Sequence, residues 1–272
     1  MQVAIYGLYK TGTTLLFHIV RQALASDCRE IFEQSAFQPL PESERTDVVA
    51  KVILGEPVNS PDLDYLSFAH FDRHILTIRD PRDWLVSGLL FLVQQQENIY
   101  SNESNRQYIL DLFRRKEREP ESLSVRYLLE QILDRAGQGD LDEVMTWMDR
   151  QYRFLLRFEE QADAFLQVKY EDFASGKLEA VSHYLGLSCS GEVAIPPEHD
   201  HVPRTRSSGN WRDWLLEEDT DFFKTVFQPY ILRHHYAGHW ETNSTRFIDP
   251  RHCSEYLERV SQRAQARTAA TG

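Results

Sequence analysis

Residues 4–20 read AIYGLYKTGTTLLFHIV, an apolar run that passes through a glycine-containing loop into a second apolar run of different period. A phosphate-binding loop of the nucleotide-kinase kind has the form G-x-x-x-x-G-K-[ST], with backbone N–H groups around the phosphates and a lysine reaching the outer ones. Gly7 and Gly12 have that separation, and Thr13 and Thr14 follow. The lysine is displaced: it is Lys10, two residues before the second glycine, and Thr13 stands where a kinase carries it. QVAIY at 2–6 is short, apolar and β-rich. From Thr13 to Leu24, residues Leu16, Ile19, Val20, Ala23 and Leu24 recur on one helical face. The order is therefore strand, tight loop, helix. In that order successive N–H groups and a helix N-terminus form an anion nest, and the glycines let the backbone come close to a ligand.

Further strands are expected at REIF (29–32), DVVAKVIL (47–54), HILTIR (74–79) and FLQVKY (165–170), with helical patterns between them. Alternation of this kind implies a parallel sheet with right-handed crossovers. The expected fold is α/β and three-layered, a central parallel sheet flanked by helices. After the fourth strand, Asp80 can cap a helix and Pro81 suits its first position. Residues 98–163 are polar with mixed charge and show helical spacing in YILDLFRR and SVRYLLEQILDRA, broken by AGQGD at 136–140. They read as a helical insertion over the sheet. PPEHDHVPRTRSSGNW (196–211) is loop-like, a helix is expected at about 219–235, and SQRAQARTAATG suggests a frayed helix with a flexible tail at about 262–272. The whole chain, 1–272, is expected to be one domain.

The formal net charge is −12 over 272 residues, which argues against broad binding of nucleic acid or anionic membrane but leaves room for a local basic pocket. No stretch approaches the roughly 20 apolar residues of a membrane span. No secretory pattern precedes the first strand. Three widely spaced cysteines, Cys28, Cys189 and Cys253, suggest a reducing compartment. The expected location is the cytoplasm. HDH at 199–201 and His234, His235 and His239 have no cysteine or carboxylate at a recognisable metal-ligand spacing, so no metal is expected.

Two later stretches add anion-binding chemistry. In TIRDPRDWLVSGLLF, Arg79 ends a strand and Ser87 lies eight residues on along the following helix. A guanidinium and a hydroxyl can together hold a second phosphate. In PRTRSSGNW, Arg204 and Arg206 share a loop with two serines and Gly209 before Trp211. Taken together, these pieces resemble the sulfotransferases that use 3′-phosphoadenosine 5′-phosphosulfate (PAPS). That family's loop reads like Y-P-K-S-G-T-T, as in LYKTGTT. Its R-D-P-x-D-x-x-x-S string is matched by RDPRDWLVS, its R-K-G-x-x-G-x-W by RTRSSGNW, and its Y-E-D by Tyr170-Glu171-Asp172. The resemblance covers most of the chain apart from 98–163 and implies a fold of the P-loop type.

The resemblance also implies roles. Lys10, Thr11, Gly12, Thr13 and Thr14 would hold the 5′-phosphosulfate. Arg79, Ser87 and Arg204 would hold the 3′-phosphate, Arg206 and Gly209 would also bind the cofactor, and Tyr170 would lie near the adenine. Lys10 would follow the bridging oxygen as the sulfuryl group leaves, where a preorganised cation contributes most. PAPS would be the co-substrate, without metal. Leu15 replaces the aromatic residue that many members carry after the threonines, and Thr205 and Arg206 replace lysine and glycine. A base must take the acceptor's proton. Many members use a histidine in a K-T-H string; here Lys51 matches the lysine, but Ile53 stands at the histidine. Saccharide-modifying members often use a glutamate after the second strand, and Glu33 occupies that place. Competitors are His70, expected at the amino end of the fourth strand, and His201. His18 reads as a packed core residue, and an ion pair of Glu33 with Arg29 or Lys51 is the plainer reading of that carboxylate. The expected partner is a hydroxyl-bearing saccharide, lipid-linked glycan or small metabolite. A P-loop small-molecule kinase and a non-catalytic nucleotide-binding module are the alternatives.

Overall fold

A computed structural model describes residues 1–24, 27–34, 36–38, 46–55, 64–160, 165–196 and 207–271. The elements run β1 (Gln2–Gly7), α1 (Thr13–Ala23), β2 (Arg29–Phe32), β3 (Val48–Ile53), β4 (Arg73–Ile78), α2 (Pro81–Gln95), α3 (Glu97–Tyr100), α4 (Glu103–Arg118), α5 (Val125–Ala136), α6 (Leu141–Glu160), β5 (Phe165–Lys169), α7 (Tyr170–Ala174), α8 (Glu179–Leu185), α9 (Trp211–Trp214), α10 (Glu217–Arg233) and α11 (Ser254–Thr271). The chain divides into two compact units. The first is Met1–Arg79 with Arg150–His199, the second Asp80–Asp149 with Asp200–Gly272. The helices anticipated within 98–163 form, and α6 continues from the second unit into the first. Helical backbone also extends along α11 to Thr271, where the sequence suggests a tail.

The first unit carries the sheet. All four pairings are parallel and the strand order is β2-β3-β1-β4-β5. Its strands are nearly continuous apolar runs because both faces are covered. Val3 and Ile5 of β1, Val49, Ile75 and Val168 face Leu16, Ile19 and Val20 of α1 and Phe173, Val181 and Leu185 from the α7–α8 segment. On the opposite face Tyr6 packs on Phe158 of α6 and on Phe165, with ring centroids 5.5 and 5.1 Å apart. Sheet and two helical layers give the three-layer α/β arrangement expected from the strand–helix alternation. The chain leaves β1 for β2 on one side and later crosses from β3 past β1 to β4 on the other, and the crevice beyond the carboxyl ends at such a reversal is where ligands of open α/β sheets bind.

The second unit is helical. Asp80 caps α2, accepting from the Arg82 N–H at 3.0 Å, and Pro81 takes the first position, as the sequence indicates. Gly137 ends α5 in the left-handed conformation, which accounts for the break at AGQGD. Two buried charges tie the helices down. Asp219 accepts the N–H groups of Val125, Arg126 and Leu216 at 2.8–2.9 Å, which caps α5 and α10 together. Lys116 donates to the Leu123 carbonyl at 2.6 Å and to that of Pro120. Among the described residues, no helix is long and apolar enough to cross a membrane.

Candidate active site

The loop between β1 and α1 is held from within. Gly7 ends β1 where a Cβ would come within 2.1 Å of Thr77 Oγ1 and 2.5 Å of Thr11 Oγ1, so only glycine fits. Thr11, expected to hold the ligand, instead turns inward. Its hydroxyl donates to the Leu8 carbonyl at 2.6 Å and shares a 2.8 Å hydrogen bond with Thr77, while its N–H also points at Leu8 O. The single Thr77 hydroxyl proton lies between two acceptors, Thr11 Oγ1 and Tyr6 O, the latter 3.1 Å away. Buried polar groups must be paired, and these pairs make Thr11 a brace of the loop.

Above this brace the backbone is strained. Lys10 lies at φ +66° and Gly12 at φ +87°. A left-handed lysine costs on the order of 1–3 kcal/mol and persists only when its surroundings impose it. One such constraint is Arg79, whose Nη1 donates to the Lys10 carbonyl at 2.9 Å and whose guanidinium lies over the Tyr170 ring at 4.3 Å. Arg79 is 8% exposed, and its Nε is buried with no hydrogen-bond partner among the described residues. Gly12 opens α1 without a side-chain cap, and the first turn holds no acidic residue. The first N–H groups of α1, together with its positive dipole end, thus suit an anion.

Beside the loop, β3 supplies a buried ammonium. Lys51, 4% exposed, donates to Thr14 Oγ1 at 2.7 Å, forms an ion pair with Glu33 and lies over the Phe32 ring at 4.1 Å. The register explains the meeting: Lys51 is paired with Ile5 of β1 on one side and Phe32 of β2 on the other. Glu33 follows β2 at φ +56°, and its side chain is 46% exposed. Its ion pair is therefore with Lys51, one of the two cations the sequence offered, while the carboxylate still meets solvent. Lys10, Thr14, Lys51 and Glu33 all stand at the carboxyl ends of β1, β3 and β2.

Other expected residues fall elsewhere. His70 is exposed, just ahead of β4 at the amino end of the sheet, near Phe37. His18 is packed on Phe17, ring centroids 5.1 Å apart, as a core histidine. Tyr170 opens α7 with its ring between Arg79 and Gly12; a Cβ on Gly12 would lie 2.5 Å from its Cδ2. Arg204, Arg206 and His201 lie outside the described residues.

Ser87 and Gly209 belong to the second unit. Ser87 is half-buried on α2. Gly209 donates its N–H to Asp83 Oδ2 at 2.5 Å, and Trp211 donates its own to Oδ1 at 3.1 Å. Asp83, buried at the start of α2, was not singled out by the sequence reading, and neither was its neighbour Arg82. The Arg82 guanidinium is paired with Asp80, donates to the His239 carbonyl and lies over Trp211 at 4.1 Å and Trp240 at 5.3 Å. Much of RDPRD thus holds the second unit together. Among the described residues no three of His, Cys, Asp and Glu gather as metal ligands.

No protein-family model and no curated protein matches this chain. Among solved structures it is similar to a mouse sulfotransferase complexed with PAP, at 13% identity over 85% of this chain and 83% of that one, with a TM-score of 0.47.

Proposed function

We propose that the chain transfers the sulfuryl group of PAPS to the hydroxyl of a saccharide, a lipid-linked glycan or a small metabolite. The carrying observation is the strained Lys10 at the head of an uncapped α1, placed before the second glycine and not after it. The residues suit the co-substrate. The α1 N-terminus and Thr14 offer donors to a 5′-anion, Lys51 adds a buried positive charge beside them, and the unpartnered Arg79 Nε is a donor that a phosphate would satisfy. By the resemblance, Ser87 and Arg204 would also take part in holding the 3′-phosphate.

Bound PAPS supplies an electrophilic sulfuryl group and a phosphate leaving group. Lys10 meets the negative charge that builds on the bridging oxygen, and it needs no metal to do so. Lys51 lowers the cost of charge on the sulfuryl oxygens while holding Glu33. Glu33, open to solvent beyond β2, takes the proton of the acceptor hydroxyl as its oxygen bonds to sulfur. The reading is tested by thermal shift and by transfer from radiolabelled PAPS to a panel of hydroxyl acceptors. PAP at a hundredfold excess over its dissociation constant should stabilise by about 2.7 kcal/mol, and ATP with magnesium should do little. Equal shifts from both nucleotides, with no labelled product, would refute it.

A further inference from the structure

Tyr170 is buried, with its ring against the anion loop. Its ring carries the Arg79 guanidinium at 4.3 Å and meets Phe173 edge-on, with centroids 5.6 Å apart. Its Cδ2 comes so near Gly12 that a methyl group there would sit 2.5 Å away. The same guanidinium holds the carbonyl of Lys10 at 2.9 Å. Lys10 and Gly12 are the two left-handed residues of the anion loop, at φ +66° and +87°. One aromatic ring therefore bears directly on one of them and, through Arg79, on the other.

The geometry points to Tyr170 as a positioning residue. Its ring orients Arg79 and walls off Gly12, and so fixes the strained backbone that presents Lys10 and the α1 N–H groups to the anion. Thr11 and Thr77 hold the loop from the sheet side; Tyr170 holds it from the other. A planar guanidinium suits this work because it can stack on a ring and donate in its own plane at once, which an ammonium cannot do. The inference rests on the reading of residues 7–14 as an anion site, but it differs from a base-contacting role for Tyr170 in what it predicts for an anion that has no base.

The test is calorimetric titration of inorganic pyrophosphate and of PAP into the full chain and its variants. Tyr170→Leu should weaken pyrophosphate and PAP alike, by about tenfold, the scale of a lost stacked cation. Tyr170→Phe, which keeps the ring, should stay within about threefold of the native affinity for pyrophosphate. Loss of PAP affinity alone in Tyr170→Leu would overturn the inference and return Tyr170 to the adenine. Equal damage from Tyr170→Phe would overturn it too, by placing the effect in the hydroxyl. Should Tyr170→Leu not fold, Arg79→Lys carries the test: it keeps the charge but gives up the planar stack, and native pyrophosphate affinity in that variant refutes the clamp. A native chain that binds pyrophosphate but not PAP would sink the proposed reaction while leaving the clamp open to the same comparison. A native chain that binds neither overturns both.

Discussion

Gly12→Ala separates two costs that the structure assigns to one position. The first is backbone strain: at φ +87°, alanine is less stable than glycine by roughly 1–2 kcal/mol. The second is steric, since the new Cβ would lie 2.5 Å from Tyr170 and 2.7 Å from Phe173, both ring atoms packed in the core cluster. Forcing packed rings aside costs about 1–3 kcal/mol more, so the variant should lose about 2–5 kcal/mol in all. Gly186 provides the comparison. It ends α8 at φ +68°, and a Cβ there meets nothing within 4 Å, so Gly186→Ala should show the strain alone, roughly 1–2 kcal/mol. Both glycines belong to the first unit. Urea unfolding followed by far-ultraviolet circular dichroism reads the two losses side by side. A Gly12→Ala chain no less stable than Gly186→Ala would refute the claim that Tyr170 and Phe173 are fixed against the loop.

Glu33→Gln should cut turnover by roughly 10²–10⁴-fold with PAP affinity unchanged, and His70→Ala should leave turnover within a few-fold of native. Steady-state rates with an accepted hydroxyl decide this, and near-native turnover in Glu33→Gln would move the search for the base to His201. Asp83→Ala leaves the Gly209 and Trp211 N–H groups without their carboxylate and should destabilise the second unit by about 3 kcal/mol, seen as a lower urea midpoint by tryptophan fluorescence. Burial lowers the Lys116 ammonium from 10.5 to about 8. The native chain thus releases this proton from about pH 8, while the unfolded chain keeps it up to about 10.5. Across that window the unfolded state binds more protons, so this residue's contribution to stability rises with pH, by on the order of 3 kcal/mol in total. Urea titrations at pH 7.5 and about 10.5 should show the rise in the native chain and its loss in Lys116→Met.

What could be read from the chain was what lies close together along it. The five strands fall where apolar β-rich runs stand, because strands buried on both faces leave an unbroken apolar trace. The loop and helix at 7–23 were legible because glycine spacing and helical period are local, and Asp80-Pro81 marks the start of α2 for the same reason. The unread features depend on strand order. Nothing near Thr11 announces that its hydroxyl meets Thr77, since that requires β4 beside β1. Nothing near Tyr170 announces Gly12 or Arg79 as neighbours, since that requires β5 to finish next to β4. Asp83 similarly awaited Gly209 and Trp211 from far along the chain. Glu33 shows where the two kinds of information join. Its place after a short strand was visible, but its pairing with Lys51 follows from β3 lying between β2 and β1, in a register that sets Lys51 beside both Phe32 and Ile5. The same register carries the ammonium to Thr14, at the mouth of the anion loop. A strand order that hides the contact from the sequence is therefore also what brings the proposed base and the proposed anion site within reach of one lysine.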